Sequence, residues 1–306
     1  MITRLRVQNY RCLRDVEMTL EPLTVFVGAN ASGKSSALRA VVPPRQIDTA
    51  DAYRAESVNN LVVDVTMSAA SGSWRPGVGN DLVRGIQRTG QYPPGQLLHF
   101  DLGHLREAVP LNEAKTIEST GRGLANVFAT LARPQQDELA RRFCALVPMF
   151  ADVHPRPKSA GLHRMVFQDR WTEGTWYEPE QVSDGSMLML AYLLLQYQDP
   201  PPDVIAIEEP ERGLHPFLLG KLVETLRNMA EGKLGKQIQV VLATHSAELL
   251  EFVRPEEVRF FSRDKTTGET KVEAAPTDST NWAKVFREYD DSLRGLWLSG
   301  GLGGVP

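Results

Sequence analysis

Leu23-Thr24-Val25-Phe26-Val27-Gly28-Ala29-Asn30-Ala31-Ser32-Gly33-Lys34-Ser35 is the stretch on which the fold turns. Its first five residues form a short, mostly apolar and β-branched run that stops at Gly28, as a buried strand does. The next eight fit G-x-x-x-x-G-K-[ST], and a helix is expected from Gly33 to about Val42, where Pro43 and Pro44 end it. A strand, a glycine loop and a helix in that order turn the pattern into a phosphate loop. Glycine lets the backbone curl so that successive N–H groups point inward, and the helix N-terminus adds its positive end. Asn30, Ala31, Ser32, Gly33, Lys34, Ser35 and Ser36 are the expected lining, with Lys34 reaching the β- and γ-phosphates and the Ser35 hydroxyl ligating Mg²⁺.

Such a site needs acid, and Asp203-Val204-Ile205-Ala206-Ile207-Glu208-Glu209-Pro210-Glu211 supplies it. Four apolar residues running into two carboxylates describe a buried strand that delivers charge at its C-terminal edge, where open α/β sheets bind ligands. Glu208 is the expected Mg²⁺ partner and Glu209 the group that polarises the attacking water. Val240-Val241-Leu242-Ala243-Thr244-His245-Ser246 is a second such strand, and in a parallel sheet it releases His245 at the same edge. Val182-Ser183-Asp184-Gly185-Ser186 opens a predicted helix over 185–198, reading either as a capped core helix or as a second phosphate contact made across a dimer interface.

Thr3 to Gln8 and Leu13 to Leu20 alternate with period two and predict a hairpin around Tyr10 and Arg11. Arg4, Arg6, Arg11 and Arg14 make it basic, either as a nucleic-acid stripe or as a solvated sheet face. Residues 43–162 read as an inserted, partly helical subdomain without a long coiled coil. It holds a strand at Leu61 to Met67, a Gly- and Pro-rich stretch at Ser71 to Gly95, and helices at Gly123 to Leu131 and Gln135 to Val147. After residue 163 strands are expected at His163 to Gln168, Thr175 to Glu178, Asp203 to Ile207, Gln237 to Ala243, Val258 to Ser262 and Thr270 to Glu273. Helices are expected at 216–230 and 247–252, and the alternation implies a parallel sheet covered on both faces. Residues 1–42 and 163–306 are thus the expected core.

The 306 residues carry 34 Lys+Arg against 38 Asp+Glu, a net charge of −4, so no general basic field draws nucleic acid. Two distant cysteines, Cys12 and Cys144, predict a reducing, cytoplasmic setting rather than a disulfide framework. The longest apolar run, Met187 to Leu195, is far short of the ~18 residues of a membrane span. HExxH, zinc-type Cys/His spacing, a G-x-S-x-G elbow and the N-K-x-D guanine reader are all missing.

These motifs, in this order, resemble the ABC-type ATPase superfamily, specifically the soluble branch of RecF, SMC proteins and overcoming-lysogenization-defect (OLD) nucleases. The likeness is greatest to short OLD-like, AAA-type bacterial ATPases. It is carried by 7–13 (VQNYRCL), the phosphate loop, Ser183-Asp184-Gly185, Glu208-Glu209-Pro210-Glu211 with Gly213-Leu214-His215-Pro216, Thr244-His245-Ser246, and the glycine-rich tail from Leu296 to Gly304. The resemblance implies an α/β P-loop NTPase of ABC-ATPase type: a mostly parallel sheet with N-terminal antiparallel strands and an inserted helical subdomain. It also implies ATP and Mg²⁺ as ligands, Lys34 and Ser35 on phosphate and metal, Glu208 as the Walker B acid, Glu209 as the catalytic glutamate and His245 as the switch histidine. Ser183 and Gly185 would touch ATP held by a second subunit, so that a homodimer or higher oligomer sandwiches the nucleotide. Ala29 and Ala31 depart from the family's usual Pro and Gly, His215 stands near the acidic D-loop position, and the Q-loop glutamine has only Gln87 and Gln96 as candidates. No Toprim acidic cluster is visible, which assigns any nuclease chemistry to a separate effector, in phage defence or DNA repair. The competing readings are a non-hydrolysing nucleotide sensor or DNA-bridging scaffold, and the ATPase subunit of a membrane transporter, against which Ser183-Asp184-Gly185-Ser186 speaks because it is not LSGGQ-like.

Overall fold

The computed structural model describes residues 1–43, 46–48, 51, 60–68, 70–76, 83–159, 161–279 and 281–300. Pro44 and the tail beyond Gly300, both part of the reading above, lie outside them. The chain forms two compact units, the first built from Met1–Leu97, Asp203–Pro210 and Gln239–Pro306, the second from Leu98–Pro202 and Glu211–Ile238.

The first unit opens with the expected hairpin, β1 (Ile2–Tyr10) and β2 (Leu13–Thr19), whose buried residues alternate as its period-two sequence requires. Asn9 (φ 57°) and Arg11 (φ 52°) flank Tyr10 in left-handed conformations that turn the chain. The hairpin arginines are neutralised locally: Arg4 pairs with Glu17 at 2.5 Å, Arg6 with Asp15 at 3.2 Å, Arg11 with Asp51 at 2.7 Å, and Arg14 with Glu269. This geometry favours the solvated sheet face over a nucleic-acid stripe. β3 (Leu23–Gly28) is buried at every position, and α1 (Lys34–Val41) follows it.

The described residues between 46 and 98 include five further strands: β4 (Gln46–Asp48), β5 (Val62–Met67), β6 (Ser71–Pro76), β7 (Val83–Gly90) and β8 (Gly95–Leu98). β5 adds to the free edge of β1, giving an antiparallel sheet of order β2-β1-β5-β6-β7-β4. Within the Gly- and Pro-rich stretch, residues 71–76 and 83–90 are therefore strands of this sheet. Its glycines serve close approach: a Cβ on Gly72 would lie 1.8 Å from the Gln91 carbonyl oxygen, and Gly90 turns the chain at φ 69°. The expected insertion over 43–162 is thus divided between the two units, because β5 finds its partner in β1.

The second unit begins with α2 (Leu102–Arg106), β9 (Val109–Pro110), α3 (Leu124–Thr130) and α4 (Arg133–Leu146). β10 (Phe150–Ser159), β11 (Leu162–Asp169) and β12 (Trp176–Tyr177) pair antiparallel. The strands expected at 163–168 and 175–178 therefore exist but belong to a separate antiparallel sheet, not to the parallel one. α4 packs on β10, and Phe143, Phe150 and Phe167 meet with ring centroids 5.2–5.9 Å apart. α5 (Asp184–Leu194) is buried from Gly185 through Leu194, as an all-apolar helix must be. α6 (Pro216–Ala230) matches its predicted bounds, with His215 as N-cap and Pro216 in the first turn.

Back in the first unit lie β13 (Val204–Glu208), β14 (Gln239–Thr244), β15 (Val258–Arg263) and β16 (Thr270–Ala274), with α7 (Trp282–Glu288) and α8 (Leu293–Leu298) near the end. The second sheet of this unit runs β16-β15-β3-β14-β13-β8, with β15, β3, β14 and β13 parallel. α1 buries Ala37, Leu38 and Val41 in one core with Phe26, Val204, Ala206, Val241, Ala243, Phe261 and the inner face of the hairpin. No helix among the described residues is long and apolar enough to cross a membrane.

Candidate functional site

Parallel register gathers the predicted residues. Glu208 stands opposite Ala243, Ala243 opposite Phe26, and Thr244 opposite Val27. The carboxyl ends of β3, β13 and β14 therefore release the glycine loop, Glu209 and His245 at one sheet edge.

The loop is built by close packing beneath it. A Cβ on Gly28 would sit 2.2 Å from the Phe261 carbonyl oxygen, and Gly33 (φ 111°) would drive one to 2.7 Å from Thr270 Oγ1. That threonine hydroxyl donates to the Ser32 carbonyl at 3.0 Å. Lys34 Nζ donates to the Gly28 and Ala29 carbonyls, both at 2.8 Å, and lies 3.5 Å from Ser32 Oγ. The ammonium is thereby held inside the curl of the loop. Asn30 and Ala31 form its exposed crest, whereas Ser32, Gly33 and Ser36 are buried under it. Ser36 accepts the Cys12 thiol at 3.7 Å.

Ala31 adopts φ 60°. A left-handed alanine costs about 1–2 kcal/mol, which glycine avoids, less the 0.4–1 kcal/mol that glycine adds in unfolded-chain entropy. Ala31→Gly should therefore raise stability by about 0.5–1 kcal/mol, read as a higher urea midpoint at constant slope.

The Ser35 hydroxyl donates directly to Glu208 Oε1. This pair offers the hard oxygen donors that suit Mg²⁺, which keeps water and phosphate oxygens as its remaining ligands. A cage of three or more His, Cys, Asp or Glu side chains does not occur among the described residues, so phosphate would have to complete the sphere. Glu209 sits at φ 49°, its N–H donating to the Ala243 carbonyl at 2.8 Å. Its Oε1 is 3.1 Å from His245 Nδ1, with both side chains about half exposed. Strand β14 thus fixes Glu209 through the main chain, and the next residues fix it through the imidazole. Thr244 Oγ1 accepts the Ser246 N–H at 2.8 Å and shapes that turn.

Ser183 and Gly185 belong to the second unit. Ser183 caps α5, its Oγ accepting the Ser186 N–H at 3.3 Å and lying 2.8 Å from Ser186 Oγ. A Cβ on Gly185 would fall 3.1 Å from Leu218 Cδ1 and 3.3 Å from the Gly213 carbonyl oxygen, so the glycine lets this helix approach the turn before α6. One residue with no signature of its own joins them: Arg106 bonds the loop that precedes α5. Of the two Q-loop candidates, Gln87 is on β7 in the antiparallel sheet and Gln96 on β8, beside β13.

Known proteins bear on this arrangement. The family model "AAA ATPase domain" matches residues 1–42, and "AAA domain, putative AbiEii toxin, Type IV TA system" matches 114–251. An OLD nuclease of Thermus scotoductus is 51% identical over 41 residues, 13% of this chain and 8% of that protein. Among solved structures, an SMC head bound to the C-winged helix domain of ScpA matches with a TM-score of 0.63 at 11% identity, over 90% of this chain and 98% of that one. The SMC head domain of Thermotoga maritima matches with 0.55 at 13% identity, over 89% and 98%. An SMC head with an extended coiled coil, bound to the C-terminal domain of ScpA derived from Pyrococcus furiosus, gives 0.62 at 10% identity, over 94% and 99%. The SMC-head-like fold, the two AAA-type family matches at 1–42 and 114–251 and the order of the motifs make this chain similar to OLD-like ATPases of the ABC/SMC type.

Proposed function

We propose that the protein binds and hydrolyses ATP with Mg²⁺ as a nucleotide-driven homodimer, and that its nucleotide state governs a separate effector. The observation that carries this reading is the convergence of Lys34, Ser35–Glu208 and Glu209–His245 at one edge of a parallel sheet. Lys34 and the loop N–H groups bind the triphosphate. Ser35 and Glu208 hold Mg²⁺, which neutralises phosphate charge when bound. Glu209 takes the proton of the attacking water as general base, and His245 orients the Glu209 carboxylate. Ser183 and Gly185 of a second copy complete the site, which couples ATP occupancy to assembly.

The local match to an OLD nuclease supports a nuclease, Toprim-like or other, as effector, and the SMC head seen with ScpA supports a partner protein on this fold. Phage defence or DNA repair, with DNA as a further ligand and a cytoplasmic setting, is the context that fits. The test is ATP turnover against protein concentration. If two chains complete one site, a tenfold dilution well below the dimer constant lowers specific activity about tenfold. Specific activity that stays flat while the protein sediments as a monomer overturns the composite site.

A further inference from the structure

Arg106, the last residue of α2, directs its guanidinium at three groups of one loop. Nε donates to the Pro179 carbonyl at 3.0 Å, and Nη2 donates to the Val182 carbonyl at 2.9 Å and to Asp184 Oδ1 at 2.6 Å. The Arg106 side chain is only 22% exposed, so its bonds to the two carbonyls form with little competing water, while the Asp184 carboxylate is half exposed. Residues 179–182 are the lead-in to Ser183 and Gly185, with a 3₁₀ turn at Pro179–Gln181 as their regular structure, and Asp184 opens α5. The Pro179 carbonyl also closes that 3₁₀ turn by accepting the Val182 N–H at 3.3 Å, and a guanidinium fork can span both carbonyls together with a carboxylate where a lysine ammonium cannot. α2 is itself anchored at its start by Asp101, whose Oδ1 accepts the His104 N–H at 3.0 Å.

We infer that Arg106 is a positioning residue for the signature loop: it sets the conformation in which Ser183 and Gly185 meet the nucleotide held by a second copy. The inference rests on the composite-site reading above. Arg106 itself touches no nucleotide in this scheme. Its own unit does not contain Lys34 or Ser35, so losing it spares the first binding step and weakens the second.

The experiment compares parent, Arg106→Ala, Arg106→Lys and Arg122→Ala, the last removing an exposed ion pair to Glu107 beside the same helix. Three readouts are taken: thermal midpoint, affinity of the monomer for ATP at high dilution, and the protein concentration giving half-maximal ATP turnover. Expected for Arg106→Ala is unchanged monomer affinity with a shift of at least about tenfold to higher protein concentration, because a misplaced signature loop forfeits contacts that hold the second copy on the nucleotide. Arg106→Lys recovers part of the shift by keeping the Asp184 contact, and Arg122→Ala behaves as the parent. A parent that shows concentration dependence and an Arg106→Ala curve superimposed on it overturn the inference alone. A parent with no concentration dependence overturns the composite site and this inference together. Equal losses in Arg106→Ala and Arg122→Ala, in step with their thermal midpoints, reduce Arg106 to a structural residue.

Discussion

Glu209→Gln is expected to lower steady-state ATP turnover at least about 100-fold, the usual loss when a general base is removed, while ATP stays bound. The substitution keeps size and planarity. The backbone of residue 209 is held by the Ala243 carbonyl rather than by its own side chain, so the left-handed conformation at φ 49° should persist. An amide can still meet His245 Nδ1, which lies 3.1 Å from the present carboxylate oxygen, but it cannot take a proton from water. It also removes one negative charge from beside the triphosphate, which favours a longer-lived ATP-bound state. The result is an ATP-loaded dimer that accumulates instead of turning over, seen as doubled mass by light scattering with ATP and not with ADP. If Glu209→Gln turns over at the parental rate, the proton acceptor lies elsewhere. If it loses ATP affinity instead, Glu209 holds the metal and the two carboxylates have exchanged roles.

Where one local signal answered to one physical cause, the sequence was readable. Leu23 to Val27, Val204 to Ile207 and Val240 to Ala243 are apolar runs because both faces of their sheet are covered, and each breaks off at the residue that carries chemistry. α6 was legible to the residue, since His215 and Pro216 are start signals that act within one turn. The central region answered to causes spread along the chain. Pro155 and Pro157 argue against a strand, yet β10 accepts them because it lies at the edge of its sheet and needs no N–H there. Gly72 and Gly90 look like loop residues until strand 71–76 is seen to pass against 90–91. β5 gives no hint in sequence that its partner is β1, some sixty residues earlier. Arg106 is equally silent, because its three acceptors lie more than seventy residues further on and two of them are main-chain carbonyls. Trp171 shows the converse. Aromatic residues usually pack, and Trp74 does so at 0% exposure, but Trp171 stands 76% exposed on a turn pinned by Asp169, whose Oδ1 accepts the N–H groups of residues 171 and 172.

Lys34→Ala should remove nucleotide binding itself, which separates it from Glu209→Gln. The ammonium is bonded to the Gly28 and Ala29 carbonyls at 2.8 Å each, so it already lies inside the curl where phosphate oxygens are expected. A charge-assisted hydrogen bond contributes about 1.5–3 kcal/mol, and a lysine that serves two phosphate oxygens therefore accounts for at least about 100-fold in affinity. Lys34→Arg should fare little better, since the pocket is shaped around a compact point charge and a planar fork cannot bond two carbonyls of one tight loop while facing the ligand. Folding is a lesser concern, because the loop is held from below by Thr270 and by strand β15 against Gly28, neither of which needs the lysine. Titration of a fluorescent ATP analogue into Lys34→Ala is thus expected to give no saturable signal over the range that saturates the parent, at an unchanged thermal midpoint without nucleotide. Saturable binding of parental strength would mean that triphosphate is held elsewhere and that the loop is only a turn capping α1. Loss of binding in this variant beside loss of turnover alone in Glu209→Gln would divide the sheet edge into a half that holds ATP and a half that cleaves it, the division that Lys34 on β3's loop and Glu209 after β13 already draw.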